Sequence, residues 1–179
     1  AVENAAEGDT VHIYPGIFEE TFPITVPAGV TVKGHSLRSV VIRPTVATQN
    51  NDAFLLTGST TIQDLTIKQF YFDSGSNTGY AFKFATNFTV SGTTNRSPYI
   101  SNVSVITNGS VTSGSDPRGF DQGDAGKGAY IDGAIALASS NEASMLFHAA
   151  TFITPGVDAI TVTNGARVEW LNSFTYFAN

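Results

Sequence analysis

TTIQDLTI at Thr60–Ile67 and PYISNVSVI at Pro98–Ile106 share one spacing: an apolar residue, two residues, a second apolar residue, one residue, and a third apolar residue. The three apolar positions are Ile62, Leu65 and Ile67 in the first stretch and Ile100, Val103 and Val105 in the second. The spacing returns at Phe147, Ala150 and Phe152 and at Leu171, Phe174 and Tyr176, with a shorter form at Val11/Ile13 and Val30/Val32. A second run accompanies it, opening at Ala53-Phe54, Ala81-Phe82, Ala129-Tyr130 and Ala159-Ile160. Two strand types therefore alternate along the chain. A recurring pair of this kind is the signature of a solenoid, in which each unit buries its apolar face only by stacking on its neighbour.

Measured from Ile13 through Val32, Ile67, Val105, Phe152 and Tyr176, the intervals are 19, 35, 38, 47 and 24 residues. Such unevenness suits a stack whose insertions leave as loops, because lengthening a loop adds little closure entropy. The expected fold is all-β: a right-handed parallel β-helix of about six coils, a rod roughly 30 Å long at ~4.8 Å per strand spacing. The longest interval is expected to hold a loop insertion at about residues 107–128. Helical character is confined to Ala1–Ala6 and stops at Gly8. The pattern starts almost at Ala1 and runs on through VEWLNSFTYFAN without the polar caps that solenoids need. Residues 1–179 are accordingly expected to form a single β-helix segment of a longer chain.

Composition narrows the function. Only 13% of residues are charged against 41% hydrophobic, so Ser, Thr, Asn and Gly must supply the polar surface, as on outward strand positions and turns. The net charge of -6 and a pI near 4.8 leave no basic footprint for nucleic acid. Cysteine is absent, which removes disulfides and thiolate chemistry. No run approaches the ~20 apolar residues of a membrane-spanning helix.

The stretch GDTVHIYPGIFEETFPITVPAGVTVKGHSLRSVVIRP, Gly8 to Pro44, resembles the opening coils of the pectate-lyase-like right-handed β-helix superfamily. Gly8, Asp9, Thr10, Pro15, Gly16, Phe18, Glu19 and Gly34 carry the likeness in order. It implies the fold and not the activity, since that fold hosts lyases, hydrolases, epimerases and adhesins alike. The stretch from Ala125 to Asn179 is similar to segments of large structural proteins of tailed phages infecting marine cyanobacteria, which implies a tail or fibre role.

No convergent catalytic set stands out. A polygalacturonase-like site would need Asn-x-Asp, Asp-Asp, Gly-His-Gly and Arg-x-Lys elements. Asn50-Asn51-Asp52 meets the first only loosely, Gly34-His35-Ser36 departs from the third, and no Asp-Asp pair exists. Asp116, Asp121 and Asp124 cluster among glycines in SGSDPRGFDQGDAGKG, where hard-cation ligands and ordinary turn residues look alike. Both readings stay open: no cofactor is expected, and calcium is the one metal that loop could hold. Arg118 and Phe120 in the same loop are the residue types favoured at interface centres, so Asp116, Arg118, Phe120, Asp121 and Asp124 form the candidate binding or interface set.

His12, His35 and His148 do not pair at metal-ligand spacing. The recurrent aromatics are expected inside the stack, with Tyr71 and Trp170 as exceptions. Asn87, Asn102 and Asn108 open glycosylation-type triplets that arise by chance in so Asn-, Ser- and Thr-rich a chain. Asp64 and Asn102, at matching points of the repeat, are expected to stack in line and bond between coils.

The expected function is a structural and attachment module of a virion or extracellular fibre-like assembly. It would pack with copies of itself or neighbouring virion proteins, or contact a host-surface glycan, with no membrane insertion. The alternative is a tailspike-type polysaccharide lyase or hydrolase with a site assembled between chains. The enzyme question leans to no.

Overall fold

The computed structural model describes residues 1–85, 97–107, 125–135 and 143–178. Its first eight strands are β1 (Thr10–Ile13), β2 (Gly16–Glu20), β3 (Ile24–Val26), β4 (Thr31–Gly34), β5 (Val40–Pro44), β6 (Phe54–Leu56), β7 (Thr61–Lys68) and β8 (Tyr80–Phe84). The rest are β9 (Tyr99–Ile106), β10 (Lys127–Asp132), β11 (Ser144–His148), β12 (Thr151–Ile153), β13 (Ile160–Thr163), β14 (Arg167–Leu171) and β15 (Phe174–Tyr176). Helix among the described residues amounts to three-residue 3-10 turns at Val2–Asn4, Val46–Thr48 and Gly133–Ile135. The chain is all-β.

Every pairing between these strands is parallel, and the strands line up in three ladders. One runs β1-β4-β7-β9-β11-β14, a second runs β2-β5-β7-β9-β12-β15, and a third runs β3-β6-β8-β10-β13. The long strands β7 and β9 serve the first ladder with their N-terminal halves and the second with their C-terminal halves. Each successive window of sequence thus adds one level, with a strand or half-strand in each ladder; the described residues of the sixth level contribute β14 and β15.

Register puts the large apolar side chains in columns. Val11, Val32, Ile62, Ile100, Phe147 and Trp170 stand in line in the first ladder. Phe18, Ile42, Ile67, Val105, Phe152 and Thr175 do so in the second. Ile24, Phe54, Phe82, Ala129 and Ile160 form the column of the third. The middle members of all three columns are fully buried in one core. Phe82 meets Phe54, Phe147 and Phe152 at ring separations of 6.1, 6.0 and 6.5 Å. Each such buried ring contributes roughly 2–3 kcal/mol of burial energy.

The two-residue gap in the repeat has a local cause. Asp64, Asn102, Ala149 and Asn172 occupy one corner of successive levels and all take left-handed backbone, with φ of 60, 51, 53 and 48°. That residue interrupts the alternation of the strand, so Ile62 and Leu65, three apart, both reach the core. The expected stacking of Asp64 and Asn102 is present, with Asn102 Nδ2 donating to Asp64 Oδ1 at 2.7 Å. On the preceding level the corner is Gly34, where a Cβ would lie 2.1 Å from the Asp64 carbonyl oxygen.

Three registers differ from the expected ones. In the last level Leu171, Phe174 and Tyr176 pair with His148, Thr151 and Ile153, so these residues face outward, 49, 59 and 48% exposed. Trp170 and Thr175 occupy the core columns instead. Tyr130 pairs with Lys83 and Thr161, leaving Ala129 in the core column. Near the start, Val32 aligns with Val11 and Ile62, not with Ile13 and Ile67. Ala129 and Trp170 each lie one place before the residue expected in the core column, and Val11 lies two places before Ile13; only the pairing distinguishes them.

Candidate functional site

The candidate set Asp116, Arg118, Phe120, Asp121 and Asp124 lies outside the described residues, as do Asn87 and Asn108. Asp52, the acid of the loose Asn-x-Asp match, is 6% exposed. Its Oδ1 accepts the backbone N–H groups of Gly79 and Tyr80 at 2.9 and 3.0 Å, and its Oδ2 lies 3.4 Å from Lys83 Nζ. Asn51 donates from Nδ2 to the Phe22 carbonyl at 2.8 Å. Both side chains tie one level to another.

Asp52 belongs to a group of ionisable and aromatic side chains gathered on β8 and β10 of the third ladder and the segments beside them. Lys83 donates from Nζ to the Asn77 carbonyl at 2.7 Å and stands 5.5 and 5.6 Å from the ring centres of Tyr80 and Tyr130. Lys127 pairs with Asp158 at 2.8 Å and lies 4.0 Å above the Phe72 ring. Tyr80 sits between them, 5.5 Å from Phe72 and 5.1 Å from Tyr130, and its hydroxyl donates to Asn77 Oδ1 at 3.0 Å. Burial pushes the Tyr80 phenol up to about 12, helped by the nearby charges of Tyr130, Asp158 and Asp52. At the far end of β10, Asn164 Nδ2 donates to Asp132 Oδ1 at 2.7 Å and the Ala134 N–H at 3.0 Å. The Asn164 bond, ahead of the Ala134 one, holds the Asp132 carboxyl below its ordinary range.

The arrangement is a set of clamps between levels. Asp52 to Lys83, Lys127 to Asp158 and Asp132 to Asn164 each join one sequence window to the next, as Asp64 to Asn102 does at the corner. Each carboxylate of these pairs is engaged with a cation or amide of a neighbouring level. Sequence reading misses the cluster because its members come from separate loops and strands, and because Ala129-Tyr130 imitates Ala81-Phe82 while Tyr130 pairs with Lys83.

The histidines serve no common centre. His148 Nδ1 is 3.1 Å from the Tyr99 hydroxyl, with the two rings stacked at 6.4 Å, while His12 and His35 line a small exposed hollow with Ile13 and Tyr14. Among the described residues no three His, Asp or Glu side chains are grouped to hold a metal ion. Phe70, Phe82, Phe84, Phe147 and Phe152 are buried as expected, whereas Phe174 and Tyr176, expected inside the stack, are exposed. Trp170 is half-buried, tilted against Phe147 and Phe152 at 5.5 and 5.4 Å, and donates from Nε1 to the Ser173 carbonyl. No described helix is long and apolar enough to cross a membrane.

The structure thus defines an all-β chain of stacked parallel strands whose polar side chains bind level to level. Compared with protein-family models, with curated proteins and with solved structures, the chain matches none.

Proposed function

We propose that the chain is a right-handed parallel β-helix acting as a structural and attachment module of a virion or extracellular fibre-like assembly. Three parallel ladders that each take their next strand from a later window of sequence support the solenoid. The right hand follows the strong preference of parallel crossovers within a sheet. One observation carries the function: Asp52, Asp64, Asp132 and Asp158 are committed to bonds between levels, and none is left paired across a cleft as glycoside hydrolysis requires. Such side chains stiffen a rod.

Incubating the chain with acidic polysaccharides and assaying new reducing ends and unsaturated products tests this. The expected result is no product. Depolymerisation that Asp116→Asn, Asp121→Asn or Asp124→Asn abolishes would overturn the module reading in favour of a tailspike-type lyase or hydrolase.

A further inference from the structure

We infer that Arg38, Arg43 and Lys68, on the outer face of the second ladder, hold one phosphate-monoester group of a ligand. The inference rests on the attachment reading above and supplies the chemistry of what is attached.

Lys33, Arg38, Arg43 and Lys68 are four of the nine Lys and Arg residues of a chain whose net charge is -6. Three of them gather at one place. β5 and β7 pair Val41 with Thr66 and Ile42 with Ile67, so one step further Arg43 stands beside Lys68, both on the outward side. The bond from Arg43 Nη1 to Oε1 of Gln69, the residue after Lys68, agrees with that register at 3.3 Å. Arg38 belongs to the turn between β4 and β5, and this turn folds over the same face. Thr66 Oγ1 donates to the Leu37 carbonyl at 2.7 Å, and Thr66 is buried beneath the turn. Arg38 follows Leu37 directly, and Lys68 lies two places beyond Thr66.

Like charges opposite each other on neighbouring strands, ~4.8 Å apart, destabilise a sheet. Little relieves that repulsion here. Glu19 Oε2 lies 3.1 Å from Arg43 Nη2, while Asp64, the carboxylate on β7, accepts from Asn102 and Gln63. Among the described residues no carboxylate pairs with Arg38 or Lys68. A local rule broken without a compensating contact marks a functional place.

The charge left over says what fits. Glu19 balances Arg43, so Arg38 and Lys68 leave two positive charges. A phosphate monoester carries about -1.5 to -2 at neutral pH, whereas a carboxylate carries a single charge. A guanidinium meets two oxygens of a phosphoryl group at once, and a Lys ammonium adds a point charge. The negative charge of the rest of the chain disfavours a long polyanion, so the ligand presents one phosphoryl group on an otherwise neutral molecule.

Isothermal titration calorimetry of the 179-residue chain with inorganic phosphate, glycerol phosphate and glucuronate tests this, with Lys68→Gln, Arg38→Gln and Lys33→Gln alongside. Lys33 faces outward on β4 opposite Gln63, away from the turn, and serves as the control. Both phosphates should bind about tenfold more tightly than glucuronate, and Lys68→Gln and Arg38→Gln should each weaken them about tenfold. Lys33→Gln should change them less than about twofold. Without phosphate, Lys68→Gln should melt no lower than wild type, because it removes the repulsion beside Arg43. Its loss of binding is then no folding defect. Tighter binding of glycerol phosphate than of inorganic phosphate would support an organic ester as the source, and equal binding would support recognition of the phosphoryl group alone. Glucuronate binding as tightly as phosphate would overturn the assignment of the ligand. Phosphate binding unchanged in both Lys68→Gln and Arg38→Gln would overturn the site. No binding of any of the three would overturn the inference and leave the rod reading standing, since the depolymerisation assay decides that reading separately.

Discussion

At the scale of single residues, the corner between the first two ladders sets a conformational demand that the side chains meet unequally. Asn tolerates left-handed backbone because its amide bonds locally, and Asn102 adds the 2.7 Å bond to Asp64. Ala149 holds φ of 53° at the same corner with no such compensation. Ala149→Gly should therefore stabilise the chain by about 1 kcal/mol, since a Cβ at positive φ is penalised more than glycine's extra freedom in the unfolded chain. Urea unfolding would show it as a higher midpoint at unchanged slope; a lower midpoint would mean the corner is unstrained. Tyr80 makes a second demand. Its pKa rises from 10 to about 12 on folding, so the folded chain holds the phenolic proton more tightly than the unfolded one. That contribution is complete below pH 10 and is lost as the pH rises to about 12. Tyr80→Phe should lose about 1 kcal/mol at neutral pH with the bond to Asn77, and should then fall less steeply than wild type through the alkaline window. Parallel pH profiles of the two proteins would contradict the assignment.

At the scale of elements, strand existence was legible throughout and strand register only in the middle levels, where Ile62, Leu65 and Ile67 do align with Ile100, Val103 and Val105. The apolar spacing of Ile62, Leu65 and Ile67 was readable because it records a physical event, the left-handed residue Asp64 that lets two residues three apart face the same core. Asp64 and Asn102 were readable as a ladder for the same reason. The last level shows the limit. Leu171, Phe174 and Tyr176 reproduce the spacing, yet Trp170 and Thr175 hold the core columns. Hydrophobic pattern specifies register only where burying the wrong face carries a penalty. In the last level the outward residues are also apolar, so the pattern fits two registers. Tyr130 was misplaced likewise, since Ala129-Tyr130 imitates Ala81-Phe82 while Tyr130 packs outward on Tyr80. The clamp residues left no local trace because Asp52, Lys83, Lys127 and Asp158 come together only once the levels stack.

At the scale of the whole molecule, stability is distributed along one axis, and each level leans chiefly on the two beside it. Position along the axis should then decide how far a damaged core residue spreads its effect. Phe82 lies in the middle, against Phe54, Phe147 and Phe152, so Phe82→Ala removes contacts from levels on both sides and should cost about 3–5 kcal/mol of global stability. Trp170 lies in the sixth level and touches Phe147 and Phe152 only from one side. Trp170→Ala should release β14 and β15 by local opening while β4, β7 and β9 keep their protection. Hydrogen exchange followed by mass spectrometry distinguishes the two cases peptide by peptide. Protection lost evenly along the chain in Trp170→Ala would show that the levels open as one unit, and cooperativity would then have to come from a coupling longer than the nearest-neighbour clamps provide.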